Sequence, residues 1–305
     1  MARYIVGRLL GLVFVLIAVS MVTFFLTRAV PGDPFAQGER GLAEATRQAR
    51  NEKYGFDRPL WEQYLLYMGN AVRGDFGVPF QSPTQTVVEL IQQTWPVTIR
   101  IGLLTIAVSY PLGIAIGVIA ALHRNKFIDY FLTFGVTLGL VLPNFVIAIW
   151  LILLFSVRLD WLPTGGWGRP EHYIMPVLAY SLGPTALVAR YTRTSLLETL
   201  AADYVRTARA KGLRERRVLT WHVARNALIP FVTVMLPEIP NILTGSIFIE
   251  QAFRIPGLGR FFVTSTFTRD YPMILALVLL IAVVWGLTYL FTDILYTLLD
   301  PRIRL

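Results

Sequence analysis

Long uncharged stretches alternate with short charged ones along this chain. Runs without a charged residue extend over 19 residues (Leu9 to Thr27), 22 (Ile101 to Leu122), 28 (Tyr130 to Val157), 17 (Tyr173 to Ala189) and 18 (Met273 to Leu290). A helix needs roughly 20 apolar residues to cross the hydrocarbon of a bilayer, so each run predicts a membrane span. A sixth span is placed at Asn226 to Ile249, although it carries Pro237, Glu238 and Pro240. Proline removes a helix hydrogen bond, and a carboxylate in lipid costs about 2.5 kcal/mol or more. The pattern predicts an all-α integral membrane protein of six transmembrane helices.

Composition agrees. Of 305 residues, 55% are hydrophobic and only 15% charged, against about 25% charged in an average soluble domain. The spans leave no room for a soluble catalytic domain. The net charge of +9 would suggest a nucleic-acid partner in a soluble protein, but here its distribution accounts for it. With the N-terminus in the cytosol, fifteen basic residues fall on the inner side, from Arg3 and Arg8 to Arg302 and Arg304, and five fall in the two short outer loops. This positive-inside bias predicts a multi-pass protein of the cell (inner) membrane with both termini cytoplasmic, lipid as its surroundings and no nucleic acid. There is no cysteine, which rules out disulfides and thiolate metal sites. The first apolar run is too long for the core of a signal peptide and is expected to be retained.

The order of segments predicts an N-terminal tip and first span (1–30), an extracytoplasmic insertion (31–94), a helical core (95–299) and a cytoplasmic tail (300–305). Apolar spacing in the insertion predicts short helices near Leu42 to Lys53 and Leu60 to Val72, and the insertion is expected to cap the outer mouth. Trp95 and Pro96 are expected to open the second span. Gly113 with Gly117, and Gly135 with Gly139, form two small-xxx-small patterns that predict close helix contacts. Pro143 interrupts the third run. The Asn144 amide beside it is expected either to face a water-filled space or to bond backbone freed by the proline.

The cytoplasmic loop 190–225 holds nine basic and three acidic residues. Within it, Asp203-Tyr204-Val205-Arg206-Thr207-Ala208-Arg209-Ala210-Lys211-Gly212-Leu213 reads as a short self-capped helix. Asp203 suits the N-cap, Arg209 and Lys211 suit the C-terminus, and Gly212 suits the left-handed position that follows. So short a helix must be held by flanking helices or by a partner surface, and Ala208 is small enough to let a partner approach.

Here the chain resembles the permease subunits of ATP-binding-cassette (ABC) importers, whose loop reads Glu-Ala-Ala, three residues, Gly, nine residues, then Ile-x-Leu-Pro. Ala208 and Gly212 match. Arg206 and Thr207 replace the first two positions, and His222, Ala224 and Arg225 stand where Ile, Leu and Pro are expected. These departures resemble the dipeptide/oligopeptide branch, which shares Arg206-Thr207-Ala208-Arg209-Ala210-Lys211-Gly212-Leu213 and Arg225-Asn226-Ala227-Leu228-Ile229-Pro230. The likeness extends to Pro31-Gly32-Asp33-Pro34, Gly74-Asp75-Phe76-Gly77, Trp161-Leu162-Pro163, Pro256-Gly257-Leu258-Gly259 and Asp300-Pro301-Arg302. It is nearest to the first of the two permeases of an oligopeptide system.

The resemblance implies a type I ABC importer permease fold, an N-terminal helix added to a five-helix core. It implies a homologous second permease, two cytosolic ATPases and an extracytoplasmic peptide-binding protein as partners. Asp203, Tyr204, Arg206, Thr207, Ala208, Ala210, Lys211 and Gly212 are then expected to dock on an ATPase. The chain lacks a Gly-x-x-x-x-Gly-Lys-Ser/Thr loop to cradle phosphates, so it is not expected to be an enzyme. ATP and Mg are expected on the partner ATPases and no cofactor on this chain.

Two other classes fit part of the pattern. An ion-coupled secondary transporter would use buried polar groups near mid-membrane. Glu238 is the main candidate to line a path, or else to bond a neighbouring span, with Asn144, Asn241 and Asp293 behind it, and no internal repeat supports this class. An intramembrane enzyme lacks its chemistry, because His123, His172 and His222 lie in loops or at span ends. Within the importer class, related branches carry nickel complexes, glutathione or other small solutes.

Overall fold

The computed structural model describes residues 2–29, 55, 57–80, 84–224, 226–227 and 235–299. Helices dominate and no strand occurs among the described residues. They are α1 (Ala2–Ala29), α2 (Leu60–Ala71), α3 (Val87–Leu122), α4 (Phe127–Val141), α5 (Asn144–Leu151), α6 (Glu171–Leu200), α7 (Asp203–Ala210), α8 (Glu215–Arg217), α9 (Glu238–Leu243), α10 (Ile247–Ala252), α11 (Gly259–Thr268) and α12 (Tyr271–Leu299). Wider π-helical turns extend α5 over Ile152–Arg158 and α8 over Val218–Ala224.

Among the described residues, three helical stretches are long and apolar enough to cross a membrane: Ile5–Ala29, Val87–Leu122 and Tyr271–Ile294. The expected third span is bent instead. Phe127–Val141 and Asn144–Arg158 meet at 102°, because Pro143 has no N–H to continue the ladder and its extended ψ of 137° starts a new helix at Asn144. The fourth apolar run lies inside α6, which takes Pro176 and Pro184 into its interior and runs on to Leu200. The sixth is not one helix. Residues 228–234 lie outside the description, and beyond them α9 and α10 are separated at Gly245, whose φ is +87°.

The chain divides into two compact units, one of residues 1–96 and 257–286, the other of residues 97–256 and 287–305. In the first, α2 lies where helical spacing placed it and joins α1 through Ser20 Oγ and Tyr64 Oη, 2.9 Å apart, with Phe24 edge-on to Tyr64. The helix expected near Leu42 to Lys53 lies outside the described residues. The second span does not open at Trp95 and Pro96. It starts at Val87, where Glu89 N donates to Thr86 Oγ1 (3.2 Å) and Thr86 N to Glu89 Oε2 (2.9 Å). This reciprocal capping box satisfies two donors that the helix start would otherwise leave free. Val87, Leu90, Leu258, Met273, Ala276 and Leu277 form the unit's core.

In the second unit α3 and α6 approach closely because α3 has no side chain at two positions. A Cβ on Gly113 would stand 2.6 Å from Val188 Cβ, and one on Gly117 2.6 Å from the Ala189 carbonyl. The other glycine pair divides. Gly139 faces Ala186 of α6 while Gly135 faces open space, so only half of that pattern is a contact. Buried Ile147, Met175, Ala179, Ile242, Ile249 and Phe253 fill the core between these elements.

Candidate functional site

The loop helix α7 takes its shape from its ends and from one buried face. Its N-cap is Ala202, in extended conformation and without a side-chain bond. Asp203 is the first helical residue rather than the cap, and its carboxylate accepts from Arg206 at 3.3 Å. An acidic group in the first turn still opposes the positive end of the helix dipole. The C-terminus forms as expected. Gly212 N donates to Arg209 O (2.9 Å), Leu213 N reaches Ala208 O (3.4 Å), and Gly212 has φ +73°. This is a Schellman closure, in which a residue free to adopt positive φ ends the helix and pairs its last carbonyls.

The helix is held by its own chain. Val205 and Ala208, at 0% and 5% exposure, pack on Val218 and Val223, flanked by Leu196, Leu200, Leu213 and Leu219. Ala208 therefore does not offer its small side chain to a partner. It faces inward and lets α7 lie close to the π-helical turn behind it. The opposite side is exposed and mostly polar: Tyr204, Arg206, Thr207, Arg209 and Lys211, with Ala210 among them. Arg209 and Glu215 clasp across the turn, with Nη2 to Oε1 at 2.7 Å and Nε to Oε2 at 3.2 Å. The guanidinium holds the Glu215 carboxyl below its ordinary range. Behind this module Ser195 Oγ donates to Ala227 O at 2.8 Å. Asp129, buried at the start of α4, receives Arg193 of α6 through two bonds of 2.7 and 2.8 Å. Two-point pairing fixes geometry as well as charge.

The three residues proposed from sequence for a path come together in one cavity of about 300 Å³, with Asn144, Glu238 and Asn241 on its wall beside Tyr180, Pro184 and Leu187. Each is set by a distinct contact. Asn144 Nδ2 donates to Ser246 Oγ (3.2 Å), so the amide bonds a side chain and not freed backbone. Tyr180 Oη lies within 3.2 and 3.3 Å of the Asn241 and Ile242 carbonyls and seats the end of α9. Glu238 accepts from Asn241 Nδ2 at 3.3 Å, one turn along the same helix, and does not bond a neighbouring span among the described residues.

Sequence reasoning passed over Glu250, which is 2% exposed and accepts from Thr98 Oγ1 at 2.7 Å. Gly245 lies against it, and a Cβ there would come within 2.8 Å of Glu250 Oε1. The residue directly follows the apolar run ending at Ile249, where a carboxylate reads as the start of a loop. The Asp129–Arg193 pair was missed for the same reason. A second cavity, of about 340 Å³, is lined by Arg28, Arg58, Gln63, Tyr67, Asn70 and Asp75.

A chain helical throughout its described elements, with membrane-length apolar helices, a proline-broken span and a basic loop helix closed by Gly212, has the fold of an ABC importer membrane subunit. It is similar to a chain of the MetNI methionine ABC transporter solved in an inward-facing conformation, with a TM-score of 0.57 and 17% identity, covering 69% of this chain and 96% of that one. That likeness concerns the fold alone.

The chain belongs to the family of binding-protein-dependent transport system inner membrane components, whose model matches residues 113–305, while the companion N-terminal model matches residues 1–102. It is 39% identical to the dipeptide transport system permease protein DppB of Bacillus subtilis, over 100% of this chain and 99% of that protein. It is equally 39% identical to the oligopeptide transport system permease protein OppB of Haemophilus influenzae, over the full length of both.

Proposed function

We propose that the chain is the membrane-spanning permease subunit of an ATP-driven peptide importer, forming half of the translocation pathway and coupling closure of the ATPases to alternating access. The observation that carries this is α7: a closed, self-supported helix whose outer side is exposed and mostly polar and whose inner side is locked to α6 and the π-helical turn. Such an element moves as a body with the helices it is fastened to, as a mechanical contact requires. Full-length relatives named as dipeptide and oligopeptide permeases supply the substrate class.

On this reading Tyr204, Arg206, Thr207, Ala210 and Lys211 meet a cytosolic ATPase. Asp203 and Gly212 shape the two ends of the helix, and Ala208 anchors it from behind. ATP and Mg reside in two ATPase subunits, a homologous permease supplies the other half of the path, and an extracytoplasmic peptide-binding protein delivers substrate. The charge asymmetry supports a reading in which the loop and both termini lie in the cytosol of a cell whose inner membrane holds the complex. The cavity bearing Asn144, Glu238 and Asn241 is part of this chain's half of the path.

The absence of cysteine makes the test direct, since a single introduced thiol is unique. In vesicles holding the complete system, a cysteine at Thr207 is expected to crosslink to an ATPase, and peptide uptake to require ATP. Cysteines at Val72 and Arg214 are expected to label from opposite sides. Peptide uptake by this chain alone, or a Thr207 thiol that never reaches an ATPase, would overturn the reading.

A further inference from the structure

Among the described residues lining the cavity of α5, α6 and α9, Glu238 is the one charged side chain. Every other wall residue is neutral: glycine, leucine, isoleucine, proline, tyrosine or asparagine. The carboxylate is half-buried, and Asn241 engages a single one of its oxygens. Asn144, whose Nδ2 is taken by Ser246, keeps its carbonyl oxygen as an acceptor on the same wall. Tyr180 points its hydroxyl at the Asn241 and Ile242 carbonyls, away from service to a ligand. Among the described residues the wall is thus rich in acceptors, carries one negative charge and has no guanidinium or ammonium to balance it.

A carboxylate facing a partly enclosed, otherwise neutral space lowers the energy of cations there and raises that of anions, more strongly than at an open surface. An ammonium group offers three donors and no acceptor. It matches a carboxylate oxygen and an amide oxygen together. A peptide's carboxylate end finds no countercharge on this wall. We propose that Glu238, assisted by Asn144, receives the ammonium group of a peptide in transit and makes this half of the path selective for cationic over anionic ends. This rests on the reading of the chain as a peptide permease.

The experiment places a cysteine at Leu187, on the cavity wall, in the assembled importer. Its rates of modification by a cationic and by an anionic methanethiosulfonate reagent are then compared. With Glu238 in place the cationic reagent is expected to be favoured, and E238Q to reduce the cation-to-anion ratio about five-fold, the effect of one partly screened charge. Millimolar trialanine is expected to slow modification when Glu238 is present and N-acetyl-trialanine to leave it unchanged. Protection by N-acetyl-Ala-Lys-Ala assigns the site to any ammonium, and its failure assigns it to the α-ammonium alone. E238D keeps the charge and is expected to keep the ratio.

An unchanged ratio in E238Q overturns the proposal, and so does equal protection by the two trialanine forms. A ratio lost in E238D as well as in E238Q overturns it too, by tracing the effect to disturbed packing. Failure of the importer reading is separate: it is absence of ATP-dependent peptide uptake by the unmodified complex.

Discussion

Residues 203–224 and residues 235–252 are both short interrupted helices set among long ones, yet they are held in opposite ways. The first is specified by its neighbours in sequence. The Schellman closure at Gly212, the Arg209–Glu215 clasp and the packing of Val205 and Ala208 on Val218 and Val223 all join groups fewer than twenty residues apart. The second is held from far away. Glu250 is met by Thr98 at a separation of 152 residues, and Ser246 by Asn144 at a separation of 102. The loop helix can keep its shape while the helices around it move. The broken segment changes whenever α3 or α5 shifts, as suits a wall that must open and close.

Loss of the buried face of α7 is expected to have the largest effect. Val205→Asp puts a carboxylate with no partner into an apolar cluster, at a cost of about 3 kcal/mol or more. ATP-driven uptake is expected to fall by more than ten-fold, with membrane insertion and peptide affinity of the binding protein unchanged. Uptake near the unsubstituted level would show that the helix is not held as a unit.

The two regions each contain a glycine at positive φ, and these sharpen the contrast. Gly245 has φ +87° and no room, since a Cβ would lie 2.5 Å from Thr98 Cγ2. Gly212 has φ +73° and nothing within 4 Å. Gly245→Ala meets both backbone strain and a clash, expected to cost about 3 kcal/mol. Gly212→Ala meets strain alone, about 1 kcal/mol. Thermal unfolding of the assembled complex in detergent checks the order, and a larger loss at Gly212 would reverse the comparison.

The smallest effect is expected at the rim of the loop helix. Arg209 lowers the Glu215 carboxyl below its ordinary range, so the pair contributes above that range and is lost only as pH falls through the lowered value. Both groups are exposed and screened. Transport between pH 6 and pH 8 is therefore expected to be insensitive to Glu215→Gln, measured as initial uptake rate. A pH-dependent loss in that interval would mean that the clasp is buried against a partner.

How much of this was legible in the sequence follows the same division. Apolar runs of membrane length, the positive-inside charge bias, the spacing of α2 and the glycine that closes α7 are local properties, and a single sequence contains them. Thr86-x-x-Glu89 was there to be read as a capping box and marks the start of α3 better than Trp95 and Pro96 do. Asp203 misled because a good N-cap residue can equally occupy the first turn, and nothing local separates the two places.

What only the tertiary structure decided concerns contacts between distant segments. That Ala208 faces its own chain depends on where Val218 and Val223 fall after the turn. That Pro143 bends a 28-residue apolar run through 102° depends on α6 and α10 accepting the new direction. That Asn144 shares one wall with Glu238 and Asn241 depends on α5 and α9 meeting. Hydrophobicity and caps act over a few residues along the chain and can be read along it. A cavity is made by backbones that approach only once the chain has folded, because side-chain pairing across a hundred residues leaves no periodic trace in the order of the amino acids.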